Sequence, residues 1–464
     1  MKRIQFRSVI GLVFILLFIF NIGLVVVSLI TSNYMLIGLG IVLSCFQYYL
    51  HDLFRRRSST LKNYPFGHCL KDFFSFVPGR ITRMFLTSRG TSNELTKKEQ
   101  QLLIRRSKSV DTMVVEDNLL NEHDPGFEYL QTCPTFMSLS PLNLRVEVGT
   151  AHCLRPYSLS VFNFGALDQG AMNKTSVHAV SQAANICNCA VNSGKKGLTP
   201  EIVRGGGDII WQISYSDIAL RSPDRSFNED LLKTIACKPY VKMIELRLHS
   251  AQHTDCQSVL NERAIFALIS KLQVWSGGKP IGIHLLNPSK EMIVRLVKSM
   301  LSVGICLDFI NIEESGVLNR ALYKAGEQRF FVPIVTAKNL ILSYGLQTKV
   351  IATGVILTEY DILRLCALGA DACFSAAGPL LGNGLLQQKL TFRSMSPSVR
   401  LANFQRNTVE ANKALMQRCG YEHLSDADPA DFLRRINEIE IVSLSEIFCQ
   451  TGQDRSMPLD VHLN

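Results

Sequence analysis

After Pro156 the chain carries eight short apolar runs, and these leave few folds open. They are Leu159–Leu167, Asn188–Asn192, Asp208–Ile213, Lys242–Leu248, Pro280–Leu286, Asp308–Ile312, Lys349–Ile356 and Ala372–Ser375. Each has strand length and is nearly continuous in apolar residues, the pattern of a strand buried on both faces. Helical patterns lie between most of them. Ala171–Ala184, Glu291–Leu301 and Asp361–Leu368 repeat apolar residues at three- and four-residue spacing. Strands alternating with helices predict a parallel sheet. Eight such units within about 250 residues fit a closed (β/α)8 barrel. A doubly wound open sheet is the alternative, but no Gly-x-Gly-x-x-Gly fingerprint follows the first strand.

The front of the chain obeys a different rule. Residues 8–50 contain no Asp, Glu, Lys or Arg, about twice the roughly 20 apolar residues that one helix needs to cross a bilayer. Thr31-Ser32-Asn33 divides this stretch into helices expected near 8–30 and 34–50, a two-helix transmembrane hairpin over residues 1–51. Lys2, Arg3 and Arg7 precede it and Arg55, Arg56 and Arg57 follow it, while the turn is uncharged. The positive-inside rule then places both ends, and the barrel, on the cytoplasmic side of the inner membrane. A cleaved signal peptide is the competing reading, but the apolar run is too long and lacks a small-residue cleavage site. Membrane lipid is therefore the first expected partner.

The 464-residue chain has room for one large domain plus an appendage. Residues 52–155 read as a mostly helical region leading into the barrel, with a helix start at Leu95–Leu103 and breaks at Pro125-Gly126, Pro134 and Pro141. The barrel is expected over 156–415. A helical tail follows over 416–464, with a short helix at Pro429–Ile436. Much of the net charge of +10 sits next to the hairpin, at Arg55, Arg56, Arg57, Lys62, Lys71, Arg80 and Arg83. Such a segment is attracted to anionic lipid. No aromatic–basic platform accompanies it, which argues against nucleic acid. Thirteen cysteines are present with no Cys-x-x-Cys pair, so neither a zinc ribbon nor a ferredoxin-type cluster is readable. No metal site is expected.

Several stretches carry a more specific signal. Gly206-Gly207-Asp208-Ile209-Ile210-Trp211-Gln212, Val241-Lys242-Met243-Ile244-Glu245-Leu246, Ser276-Gly277-Gly278-Lys279-Pro280 and Ala367-Leu368-Gly369-Ala370-Asp371 occur in that order. Leu61–His68 precedes them and Ala402–Val409 follows. This ordered set resembles the FMN-binding glutamate synthase family, in its stand-alone, membrane-anchored form. The resemblance implies the (β/α)8 barrel already read from periodicity. It also implies FMN, an iron–sulfur cluster, and reductive formation of glutamate from 2-oxoglutarate and ammonia.

Matched position by position, the resemblance implies a flavin pocket at Asp168, Gln212, Arg247, His284 and Gly354. Gln212 would hydrogen-bond a flavin edge. Arg247 and His284 stand where the family has lysines, and a carboxylate ion pair or a hydrogen-bonded place at the barrel mouth are their alternative roles. A histidine is mostly neutral at pH 7, so His284 is expected to weaken the positive charge facing a reduced flavin.

The departures are as informative. The family's glycine-rich phosphate loop is replaced by Glu313-Glu314-Ser315-Gly316-Val317-Leu318-Asn319-Arg320, which removes nearly all the glycines and adds two carboxylates. The segment Gln387–Ser396 lacks the family's cluster cysteines, so no iron–sulfur cluster is expected. The loop at Ser250–Cys256 is cut short, and Asn192–Gly197 carries Lys195 and Lys196 in place of the family's glutamate loop. No glutaminase domain is expected within these residues. The expected protein is a divergent member of that family whose reaction is lost or altered. One alternative is a flavin oxidoreductase fed by an electron-donor partner. The other is a catalytically silent barrel acting as a membrane-associated binding or scaffold protein.

Overall fold

The computed structural model describes Leu43 and, with breaks, residues 97–449. The breaks fall at 109–112, 118, 124, 133–143, 167–171, 215–219, 221–226, 249–261, 315–322 and 377–394. Apart from Leu43, the expected hairpin and its basic flank lie outside the described residues. So do Asp168, Arg320, the shortened loop at Ser250–Cys256 and most of the cysteine-free segment at Gln387–Ser396. Among the described residues no helix is long and apolar enough to cross a membrane. The architecture that follows belongs to the unit Ser92–Asn464.

Eight parallel strands close into a barrel. In chain order they are β4 (Phe162–Phe164), β5 (Ala190–Asn192), β6 (Asp208–Ser214), β7 (Val241–Leu248), β8 (Ile281–Leu286), β9 (Phe309–Glu313), β10 (Lys349–Gly354) and β11 (Ala372–Ser375). β11 pairs with β4 to complete the ring. All eight lie within or against the apolar runs read from sequence. Their burial is nearly continuous, as expected of strands covered by side chains inside and helices outside.

The helices begin and end where side chains satisfy the free backbone groups. Asn173 accepts a hydrogen bond from Ser176 N and starts α2 (Lys174–Cys187), and Ser289 does the same from Met292 N for α6 (Lys290–Val303). Thr358 and Asp361 form a capping box on α8 (Glu359–Ala367). These capped helices cover most of the three helical patterns read from sequence. The closing helix, α9 (Pro397–Cys419), has Pro397 in its first turn and Gly420 in the left-handed region at its end. It runs four residues past the expected barrel boundary. It packs against α2 and against α1 (Lys97–Lys108).

Three expectations change. The run Leu159–Leu167 is not one strand. Tyr157–Ser160 forms β3, which pairs antiparallel with β2 (Arg145–Val148), and the barrel strand β4 starts after Val161. Asn163 Nδ2 donates to Ser160 O at 2.6 Å, a side-chain bond that holds the chain where it turns. The described part of 52–155 is less helical than its sequence suggests. It holds α1, β1 (Glu128–Leu130) and β2. The tail turns extended after two 3-10 turns, at Leu424–Asp426 and Pro429–Asp431, forming β12 (Phe432–Arg435) and β13 (Ile441–Ser443) before α10 (Leu444–Cys449). β12 pairs with β1, placing Arg434 opposite Glu128, and this long-range pairing overrides the local helical spacing.

The β2–β3 hairpin plugs the end of the barrel where the strands begin. Val148 and Leu159 are fully buried against Ala190, Ile210, Met243, Phe309, Ile351, Ala372 and Phe374. Asp308 ties the plug to the wall, accepting from Thr150 N, Thr150 Oγ1 and Ile281 N at 2.6, 2.9 and 2.8 Å. Space for Phe309 comes from Gly282. A Cβ there would lie 2.5 Å from Phe309 O and 2.6 Å from its ring.

Candidate functional site

Side chains two residues apart on a strand point the same way. Moving up each strand from the apolar plug therefore predicts what lines the next layer. Ala190 is followed by Asn192, Ile210 by Gln212, Met243 by Glu245, Gly282 by His284, Phe309 by Asn311 and Ile351 by Thr353. Every one of these is polar. One step further come Arg247 on β7 and Glu313 on β9. The interior thus changes from apolar to polar toward the ends of the strands, where (β/α)8 barrels place their sites.

Glu245 is the centre of this layer. Its Oε1 accepts from Asn192 Nδ2 at 2.7 Å and Gln212 Nε2 at 2.6 Å, and lies 3.0 Å from His284 Nδ1. Its Oε2 accepts from Asn311 Nδ2 at 2.9 Å. Four donors thus converge on one carboxylate, three of them on Oε1. Thr353 Oγ1 donates to Asn311 Oδ1 at 2.7 Å, which fixes the orientation of that amide. Ser193 Oγ accepts from the backbone N–H of Gln212 at 2.9 Å.

A second carboxylate closes the set. His284 Nε2 lies 2.6 Å from Glu313 Oε2. Arg247 Nη1 donates to Gln212 Oε1 at 3.3 Å and sits 3.6 Å from the same Glu313 oxygen. Two carboxylates and two cations therefore balance within one cluster. Glu245 and His284 are fully buried, Gln212 and Arg247 nearly so, and the Glu313 side chain is 19% exposed.

The charge state of His284 departs from the sequence expectation. Burial alone would favour the neutral ring, but Glu245 and Glu313 on its two nitrogens outweigh it and push the pKa to about 9. His284 is thus an imidazolium at neutral pH, donating from Nδ1 to Glu245 and from Nε2 to Glu313. Burial likewise pushes Glu245 up, yet His284 and the surrounding amides bring it down to about 2.

This coupling predicts a pH profile for stability. The raised histidine stabilises fully below its ordinary value of 6.5, and that contribution is lost as pH climbs through about 9. The lowered carboxylate contributes above 4.5 and is lost as pH falls through about 2. Denaturant midpoints should therefore peak between those two ordinary values. The alkaline decline should be on the order of 3 kcal/mol, one pKa unit being about 1.4 kcal/mol. A profile of Glu245→Gln that keeps the same alkaline decline would contradict the assignment.

Of the residues expected at a flavin pocket, Gln212, Arg247 and His284 meet in this cluster. Arg247 takes its alternative role as an ion-pair partner, and His284 is the hydrogen-bonded histidine at the barrel mouth. Gly354 stays out. It follows Thr353, so it faces the other way, with Phe330 Cζ 3.6 Å from where its Cβ would be. Lys195 and Lys196 are exposed at the turn after β5. Glu245, Asn192, Asn311 and Thr353 were not singled out as site residues from sequence. The two-residue step from apolar to polar on six of the eight strands is the signal that finds them.

These residues do not fit a flavin. The side-chain amide of Gln212 is spent on Glu245 and Arg247, and both ring nitrogens of His284 are spent on carboxylates. On these residues a flavin edge would meet groups already engaged by the cluster, and Glu313 adds negative charge at the strand end where a phosphate would approach.

A cavity of about 780 Å³ lies elsewhere, where β10 and β11 begin, with Leu144, Lys338, Lys349, Asp371 and Phe448 among its walls. Lys338 and Lys349 lie 3.1 and 3.8 Å from Asp371 Oδ1. It opens at the opposite end of the barrel from the Glu245 cluster.

No protein-family model matches the chain. Among solved structures it is similar to a mandelate oxidase variant with a monooxide FMN adduct, at 15% identity and a TM-score of 0.44, over 77% of this chain and 97% of that one. It is also similar to a flavocytochrome b2 variant with sulfite bound, at 10% identity and a TM-score of 0.47, over 82% of this chain and 93% of that one. Among curated proteins it is similar to the glutamate synthase large subunit-like protein YerD of Bacillus subtilis (strain 168), 25% identical over 344 residues. That match covers 65% of this chain and 64% of YerD, so the chain spans less than two thirds of the length of this glutamate synthase-like relative.

Proposed function

We propose that this chain is a membrane-anchored, glutamate synthase-like barrel that has left FMN-dependent glutamate formation and works as a binding or scaffold protein at the inner membrane. The observation that carries this is the saturated Glu245 cluster. Gln212, Arg247 and His284, three of the expected flavin-pocket positions, are engaged in this cluster, and two of its four charges are carboxylates. The membrane part rests on the charge-free stretch at residues 8–50 and its basic flanks.

The test is direct. The full chain, extracted in detergent, should show no flavin absorbance and no saturable binding when titrated with micromolar FMN. Co-purified flavin or stoichiometric binding would overturn the proposal.

A divergent flavin oxidoreductase fed by an electron-donor protein is the second reading. The imidazolium of His284 and the guanidinium of Arg247 favour it, because positive charge at the mouth stabilises an anionic reduced flavin. Tight FMN binding would select this reading and justify assaying 2-oxoglutarate plus ammonia with a reductant.

A further inference from the structure

The plugged end of the barrel is built as one rim. In a (β/α)8 barrel each helix ends beside the start of the next strand. Here α4 (Glu229–Ala236), α5 (Glu262–Trp275), α6 and α7 (Tyr323–Ser343) turn into β7, β8, β9 and β10 at that end. Side-chain bonds join the turns. Lys279 Nζ donates to Ala236 O and Lys238 O at 2.6 and 2.7 Å, and Cys237 Sγ donates to Trp275 O at 3.0 Å. Gln273 Nε2 donates to Cys306 O at 3.2 Å, and Thr348 Oγ1 to Leu307 O at 2.7 Å. The turn of the plug joins them where Arg155 N donates to Gly278 O at 2.8 Å.

Apolar side chains project from this rim. Leu154, Val274 and Leu342 are 82, 78 and 66% exposed, and Leu301, Val303 and Tyr344 are exposed as well. They are six of the twelve large hydrophobics exposed among the described residues, so half of that set gathers at one end. The rim is also one-signed in sequence. Segments 150–157, 231–242, 271–281, 296–307 and 338–349 hold nine Lys and Arg and no Asp or Glu. Asp208 lies by Lys242, Asp371 by Lys338 and Lys349, and Glu229 by Lys271. Arg155, Lys233, Lys238 and Lys298 are exposed. Exposed carboxylates of neighbouring segments, Glu147 and Glu422, leave these cations in excess. Lysines near helix C-termini also complement the helix dipole, but that role does not call for exposed leucine and valine in the same turns.

We propose that the plugged end of the barrel is a docking face for an anionic lipid surface. The exposed lysines and Arg155 meet the headgroups, and the apolar tips enter between them. Tyr344 and Trp275 carry the amphipathic rings that settle at a membrane–water boundary. A protein interface buries a joined apolar core, whereas these tips stand on separate helix ends, each segment with its own cation. This inference deepens the membrane part of the proposed function and rests on it.

The experiment uses the full chain in lipid nanodiscs. Their phosphatidylcholine carries bromine high in the acyl chains, and they are made with or without an equal part of phosphatidylserine. The chain has two tryptophans, and Trp211 is buried inside the barrel, so Trp275 is the one that lipid bromine can quench. We expect the Trp275 share of the emission to be lost in anionic discs, kept in neutral ones, and regained in high salt. These arms need no substitution. Lys238→Gln combined with Lys298→Gln should weaken docking roughly thirtyfold, each lysine beside an anionic surface contributing about fivefold. Half-quenching then requires more phosphatidylserine. Leu154→Ser with Val274→Ser should shift it the same way.

Equal emission in neutral and anionic discs would overturn the face, and so would quenching unchanged by the lysine pair. Shielding of Trp275 that appears only when two chains share a disc would assign this end to a second copy and overturn lipid docking. Two results separate this inference from the reading beneath it. Release of the chain from discs by high salt overturns the hairpin anchor, whatever Trp275 reports. A chain that stays in the disc with Trp275 unquenched overturns the docking face alone.

Discussion

Glu245→Ala is expected to lower stability by about 3–5 kcal/mol, the usual cost of removing one member of a buried ion pair. The loss has three parts. His284 is left as a buried cation with Glu313 as its remaining carboxylate. The side-chain amides of Asn192, Gln212 and Asn311 lose the acceptor on which they converge. A cavity also opens at the centre of the barrel. Against a typical stability of roughly 5–15 kcal/mol, such a loss removes a large share of the margin. Glu245→Gln tests the electrostatic part separately. It keeps the shape and some hydrogen bonds, so it should cost about 1–3 kcal/mol. Urea denaturation at neutral pH gives both values. A loss under about 1 kcal/mol for the alanine variant would mean that the network contributes little to the fold.

Glu128→Ala should be comparably damaging, at a place remote in sequence from the barrel centre. Glu128 lies on β1, fully buried, and accepts from Arg364 Nη1 at 2.6 Å, Arg434 Nε at 2.7 Å and Tyr360 OH at 3.2 Å. Arg434 Nη2 also reaches the carboxylate. Burial pushes the Glu128 carboxyl up, but the two guanidiniums more than reverse this and hold it below the ordinary range. Removing it leaves two buried arginines, with Asp361 as a distant partner of Arg364 at 3.5 Å. We expect a loss of about 3–5 kcal/mol. Because Glu128 joins β1 to β12 and to α8, hydrogen exchange should rise first in β1, β12 and β13 and later in the barrel strands. Uniform acceleration across the barrel would contradict a local clamp.

Much of the barrel was legible because it is a local pattern repeated. Each apolar run marks a strand with both faces covered, and each helical stretch between them carries its own cap, as with Ser289 and the Thr358–Asp361 box. The short N-terminal strands and the tail were not legible, since β1 and β12 are three and four residues long and pair across about 300 residues of sequence. Nothing local distinguishes Phe432–Arg435 from a helical turn. What makes it a strand is Arg434 reaching Glu128.

The site divides the same way. The sequence by itself determined which residue types line the upper barrel, because the two-residue step along a strand sends Gln212, Glu245, His284 and Asn311 inward after their apolar neighbours. It also set the placement of Arg247 and Glu313 one step higher. What they do to one another was decided only by tertiary structure. An isolated histidine is mostly neutral at pH 7, whereas His284, between Glu245 and Glu313, is charged, because charge state depends on distance and burial rather than on identity. For the same reason Gln212 and Arg247 are paired inside the cluster, which their identities alone do not reveal.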